Sequence, residues 1–180
     1  MLLGVIGLAS RANAQVGDHV LTIDITGPIT NVTSDFLDRA LEKTEADEAA
    51  LLVLRVDTPG GLLDATRTIV GLLLAADVPT AALVAPEGAR AGSAGTFIVV
   101  ATNVAAMVPG TNIGAASPVG GGGEELPETL QNKVTNDAAA LMRDIAEQRG
   151  RNSEKLEETV TTAASFSSSE AVAEGVVDLV

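Results

Sequence analysis

The sequence has no cysteine, tryptophan or tyrosine, only three phenylalanines, and a single histidine, His19, in 180 residues. Without cysteine there are no disulfides, no thiol nucleophile and no Cys-ligated zinc. One histidine excludes His-rich metal sites. It also leaves no His downstream of any candidate nucleophile to serve as the base of a Ser-His-Asp triad. Cations are scarce: Lys and Arg number 11 against 24 Asp and Glu, for a net charge of -13. Nucleic-acid binding requires a basic face, and single strands also require stacking rings; this chain offers neither. The same charge opposes adsorption to an anionic membrane surface. No run reaches the ~18 apolar residues of a membrane span; Ile69 to Ala76 is short and holds Gly71. The inventory implies no metal and no cofactor. What is abundant is aliphatic: 46% of the residues are hydrophobic. That is enough for one domain with a substantial core, and too much for a disordered chain.

The first residues read as a targeting segment. Leu2 to Ala9 is a short apolar run, and Ala12-Asn13-Ala14 fits the A-x-A rule of signal peptidase. Residues 1–14 are therefore expected to be a signal peptide, without its usual cationic start, and 15–180 a single domain. The sequence stops within an apolar stretch, Val176 to Val180, the pattern expected of a domain cut from a longer parent.

Between these ends strand and helix patterns alternate. Val20 to Thr26 alternates and is rich in β-branched residues, so it predicts a strand ended by Gly27-Pro28. Thr33 or Ser34 is placed to cap a helix that turns Leu37, Ala40 and Leu41 inward. Leu51 to Val56 is nearly continuous in apolar residues, as in a buried parallel strand. After Asp57-Thr58-Pro59-Gly60-Gly61, Leu62 to Ala76 predicts a helix and Thr80 to Ala85 a third strand. Pro86 to Gly92 reads as a loop, Ser93 to Thr102 as a helix and Val104 to Val108 as a strand. Leu130 to Arg149 is a long helix and Ser153 to Val160 a shorter one. A last small helix, Glu170 to Glu174, precedes a strand over Val176 to Val180. Such alternation with short turns implies an α/β fold with a mainly parallel sheet. The run Gly120 to Gly123 lacks the Gly-Lys-Ser/Thr of a phosphate-binding loop.

Two loops carry chemical potential. Asp57 to Gly61 lies at the carboxyl end of a buried strand, where open α/β sheets bind ligands. Its two glycines let backbone N–H groups approach a ligand or a developing oxyanion; the same residues also suit an ordinary βα turn. Ala91-Gly92-Ser93-Ala94-Gly95-Thr96 puts a serine at a helix start. There Ser93 reads either as a plain N-cap or as a nucleophile on an elbow like G-x-S-x-G. A serine nucleophile needs a base, and Ser-Lys pairs are a known solution. A lysine base must be desolvated to shed its proton near neutral pH. Of the three lysines, Lys43 and Lys155 lie among glutamates on helix surfaces. Lys133 sits beside an apolar stripe of Leu130, Val134, Leu141 and Ile145. Periodicity leaves two readings for it: a half-buried amine, or an i,i+4 pair with Asp137.

Taken together the segments resemble the ClpP-class serine proteases of the NfeD type, within the ClpP/crotonase fold. The resemblance rests on Gly27-Pro28-Ile29, the strand followed by DTPGG at 57–61, and AGSAGT at 91–96. It extends through AAMVPGTNIGAASPVG at 105–120, Lys133-Val134-Thr135-Asn136-Asp137, Arg149-Gly150-Arg151-Asn152 and the closing EGVVDLV. It covers residues 19 to 180 or nearly so, with the motifs in order. It implies a ClpP/crotonase-like spiral of strand–helix units. It implies a serine endopeptidase with Ser93 as nucleophile, Lys133 as general base and an oxyanion hole from Gly60, Gly61 and Ala94. Gly92, Gly95, Gly114 and Ala115 are then expected to border the bound substrate. Longer members continue through membrane spans to a small β-barrel domain and place the protease domain on the extracytoplasmic side. They self-associate at least as dimers, and cleave an apolar segment of a stomatin-like membrane protein. Two rival readings share the fold: a crotonase-like enzyme acting on acyl thioesters, and a non-catalytic scaffold for a membrane-protein tail.

Overall fold

The computed structural model describes residues 17–120 and 127–180. The expected signal peptide and Gly121 to Gly123 lie outside the described residues. Four parallel strands form the main sheet: β1 (Val20–Thr26), β2 (Leu51–Asp57), β3 (Thr80–Val84) and β5 (Val104–Met107), in the order β1-β2-β3-β5. Each strand is laid beside the last after a helical crossover: α1 (Asn31–Ala46), α2 (Leu63–Ala75) and α3 (Ala94–Ala101). This is the α/β fold with a mainly parallel sheet that the alternation predicted. A second sheet, in the order β4-β6-β7, joins β4 (Arg90–Gly92), β6 (Asn112–Gly114) and β7 (Ser165–Ser167). Of the remaining helices, α4 (Glu128–Arg149) packs on α3 and on α5 (Ser153–Thr161), α5 meets β6, and α6 (Ser168–Ala173) follows β7.

The core lies on the helical side of the main sheet. Leu52, Leu54 and Val56 of β2 point into it with Leu37, Ile69 and Leu73 from α1 and α2. α3 is apolar on every side and wholly buried, as a helix without a polar face must be. The opposite row of the sheet, including Thr22, Asp24, Arg55 and Val104, is exposed. In that row Arg55 meets Asp24 through two hydrogen bonds, of 2.7 and 2.8 Å.

Two arginines close the C-terminal ends of helices, where carbonyls lack partners. Arg149 donates to Ala101 O at 2.7 Å and to Leu73 O at 2.9 Å. Buried Arg151 donates to Val100 O and Thr102 O and pairs with Asp178.

Several local expectations are corrected. α1 begins earlier than its expected caps: Thr30 is the N-cap, and Thr33 sits within the first turn, accepting the Thr30 N–H. The loop expected at 86–92 ends in strand β4, recruited by pairing with β6. Val176 to Val180 is not a strand. It makes a single bridge from Leu179 to Ala106, and the Asp178 carboxylate takes the Ala105 N–H that a ladder would have used. The apolar stripe on α4 holds only in its C-terminal part: Ile145 is buried, Val134 and Leu141 are half-buried, and Leu130 is 46% exposed.

Candidate active site

β2 runs without a break into the glycine loop. Thr58 remains extended and bridges to Ala91: its N–H donates to Arg90 O at 2.8 Å and its carbonyl accepts from Gly92 N–H at 3.0 Å. That bridge delivers β4 to Ser93, which caps α3 in a conformation rare for a side-chain-bearing residue, φ 50 and ψ -112. Such a conformation costs on the order of 1–3 kcal/mol and persists only where its surroundings enforce it. Here Ser93 N–H donates to Gly114 O, and Ser93 O accepts from Thr96 N–H, both at 3.0 Å. Thr96, fully buried, adds bonds from its hydroxyl to Ala91 O and Gly114 O. The elbow is thereby fixed between β4, β6 and the first turn of α3.

The two glycines thread between Ser93 and Ile29. A β-carbon on Gly60, whose φ is 113, would lie 2.6 Å from Ser93 Cβ; one on Gly61 would lie 2.1 Å from Ile29 O. Their N–H groups have different fates. Gly60 N–H donates to Thr58 Oγ1 at 3.0 Å and is spoken for. Gly60 C=O accepts from Ile29 N–H at 2.8 Å. In a trans peptide C=O and N–H point oppositely, so Gly61 N–H is turned away from Ile29. It makes no hydrogen bond among the described residues. Ala94, the first residue of α3, has no acceptor within its helix. The site thus gathers one hydroxyl, two N–H groups and the positive end of a helix buried away from water. Such an arrangement suits attack on a carbonyl with stabilisation of the resulting oxyanion.

The other expected site residues are placed unequally. Gly92 is half-buried and Ala115 is exposed with φ 49. Gly95 is buried against Thr58, where a β-carbon would meet Thr58 Cγ2 at 2.5 Å. Gly114 is buried against Ala164 and supplies the carbonyl that holds Ser93. Both glycines stand where a side chain would collide with the scaffold around Ser93.

Lys133 makes no hydrogen bond to Ser93 among the described residues. It is exposed, and among the described residues it makes neither a hydrogen bond nor an ion pair. Neither reading from periodicity holds. The amine is not half-buried, and Asp137 pairs with Arg67 of α2 instead. The core grips α4 only from Ala138 onward, where Ala138, Ala139, Met142, Ile145 and Ala146 are buried and Arg149 donates to Ala101 O. Lys133 lies on the half that the core does not grip.

Residues 19–177 match the model of the family described as NfeD1b, N-terminal domain. The chain belongs to that family. Membrane-bound protease PH1510 of Pyrococcus horikoshii is 35% identical over 186 residues, an alignment taking in 100% of this chain and 41% of that protein. The chain therefore spans about two fifths of that relative's length. A solved structure described as 1510-N membrane-bound stomatin-specific protease, a lysine-to-alanine mutant in complex with a substrate peptide, superposes with a TM-score of 0.82. It is 36% identical, with 89% of this chain and 74% of that one covered. ClpP1 from Listeria monocytogenes superposes with a TM-score of 0.68 at 20% identity, over 88% of this chain and 89% of that one. The NfeD1b N-terminal domain therefore has a ClpP-like fold.

Sequence reasoning passed over three residues of this NfeD1b-type site: Ile29, Thr58 and Thr96. Thr58 and Thr96 carry a legible signal, since each is a hydroxyl within apolar and glycine-rich surroundings. A buried hydroxyl in such a setting must find a partner.

Proposed function

We propose that this chain is the protease domain of a longer membrane-associated protein, and that it cleaves peptide bonds with Ser93 as nucleophile and Lys133 as general base. The observation that supports the reading is the Ser93 elbow packed against the glycine loop, with the N–H groups of Gly61 and Ala94 left without acceptors among the described residues. Ser93 Oγ attacks the peptide carbonyl carbon as its proton passes to neutral Lys133. The carbonyl oxygen becomes the oxyanion. Collapse of the adduct expels the amine, which takes the proton from Lys133. Water then attacks the acyl-enzyme, and Lys133 accepts and returns a proton in the same way. For this the Lys133 amine must reach Ser93 Oγ during the reaction, and the half of α4 that carries it is held only loosely by the core. Gly60 contributes by shaping the loop, since its own N–H is engaged.

The names of the relatives support a stomatin-like membrane protein as substrate, and the enclosing protein is proposed to hold this domain on the extracytoplasmic side. Among the described residues no helix is long and apolar enough to cross a membrane. Self-association is proposed through the exposed face of the main sheet. All-parallel sheets are ordinarily covered on both faces. The adjacent Asp24 and Arg55 make that face complementary in charge to a two-fold copy of itself.

The test is labelling with a fluorophosphonate probe, followed by mass mapping, on wild type, Ser93→Ala and Lys133→Ala proteins. Stoichiometric modification of Ser93 that vanishes in both variants is expected. A folded wild type that takes up no probe between pH 7 and 9.5 and cleaves no peptide from an apolar library overturns the reading.

A further inference from the structure

We infer that Thr58 is a positioning residue for the oxyanion hole: its hydroxyl fixes the Gly60 peptide so that Gly61 N–H, and not Gly60 N–H, faces the reacting carbonyl. The inference rests on the reading of Gly61 and Ala94 as the oxyanion donors.

Thr58 is fully buried and touches every part of the site's scaffold. Its single hydroxyl proton goes to Gly27 O, at 2.6 Å, at the end of β1. Its oxygen accepts from Gly60 N–H at 3.0 Å. Its backbone bridges to β4 immediately before Ser93, and its Cγ2 lies against Gly95 in the first turn of α3.

The hydroxyl matters because of what Gly60 is. At φ 113 the residue occupies a region only glycine enters freely, and glycine leaves it as freely. Two anchors remove that freedom. The bond to Thr58 Oγ1 fixes the peptide plane before Gly60. The bond from Ile29 N–H to Gly60 C=O fixes the plane after it. With both planes set, the direction of Gly61 N–H is set. Without the hydroxyl, Gly60 N–H is a buried donor without a partner, and half-buried Gly27 C=O loses its donor. The loop then relaxes to satisfy them, carrying Gly61 N–H off its aim. The ground-state grip on an extended peptide is spread over other contacts, so the loss falls on the transition state.

Four variants separate this from packing. Thr58→Val keeps shape and loses the hydroxyl. Thr58→Ser keeps the hydroxyl and loses Cγ2, and Thr58→Ala loses both. Ser93→Ala reports on the underlying reading. With a fluorogenic apolar peptide, Thr58→Val is expected to lower kcat about 100-fold, the usual effect of one oxyanion donor, with KM within about 3-fold. Thr58→Ser is expected to stay within about 5-fold of wild type, and at least 10-fold above Thr58→Ala. If Thr58→Val does not fold, the Ser and Ala variants decide the matter, since both lack Cγ2 and differ only in the hydroxyl. Equal kcat for those two, or a Thr58→Val whose loss lies wholly in KM, overturns the inference while leaving the protease reading intact. Full activity in Ser93→Ala, or none in wild type, removes the protease reading itself and the inference with it.

Discussion

Gly60 and Ser93 approach so closely that a β-carbon on Gly60 would stand 2.6 Å from that of Ser93. The serine elbow and the glycine loop are therefore one unit, each holding the other in a conformation it would not keep alone. Ser93 has a positive φ because β4, β6 and α3 converge on it. Gly60 has a positive φ because Thr58 and Ile29 pull its two peptide planes to opposite sides.

Gly60→Ala is expected to abolish probe labelling of Ser93 and to destabilise the fold. The added methyl meets Ser93 Cβ and must be held at positive φ, with a combined cost of at least ~2 kcal/mol. Urea denaturation with parallel fluorophosphonate labelling checks both effects. A Gly60→Ala protein with wild-type labelling contradicts the close packing described here.

Ser93→Gly is expected to raise stability while ending activity. Glycine relieves the strain at φ 50 and returns part of the gain as unfolded-state entropy, leaving roughly 1 kcal/mol. Ser93→Ala relieves nothing and should match wild type in stability. Midpoints of urea unfolding for the three proteins give the answer, and a Gly variant no more stable than the Ala variant would show that the elbow is unstrained.

Arg151→Ala is expected to cost about 3 kcal/mol. It strips buried carbonyls at the end of α3 of their donor and leaves Asp178 without its cationic partner. Thermal unfolding of the variant should show one cooperative transition at a clearly lower temperature. The exposed Lys43–Asp47 pair provides the contrast: Lys43→Ala should move the transition little.

Asp24 supplies a pH test. Hydrogen bonding to the Arg55 guanidinium holds its carboxyl below the ordinary carboxylate value. A carboxyl lowered on folding stabilises the fold fully above its unfolded value, ~3.9. That contribution disappears as pH falls through the lower, folded value. Asp24→Asn should therefore be the less stable protein at pH 7, with the gap to wild type closing as the pH drops below about 4. A gap that persists unchanged at pH 2 would assign it to packing.

Much of this molecule is local and was therefore legible in its residues. The alternation of apolar strands and amphipathic helices reports which face of each element meets a core, and that face is set by a period of two or 3.6 residues. The candidate nucleophile at a helix start and the paired glycines after a buried strand are equally local patterns. The short strands β4, β6 and β7 were not legible. With three residues each, they carry no periodicity and exist only because partners from distant parts of the chain supply their hydrogen bonds.

The sequence by itself determined the fold class, the hydroxyl and the glycines of the site, because backbone propensity and apolar period act over a few residues. Tertiary structure alone decided which glycine N–H is free, since Thr58 and Ile29 claim the polar groups of Gly60 across the fold. It alone packed Gly95 against Thr58 and Gly114 against Ala164. It also left Lys133 in solvent, on the half of α4 that the core does not bury, and gave Asp137 to Arg67. Hydrogen-bond partners and helix seating depend on residues far apart in the chain, and no local pattern encodes them.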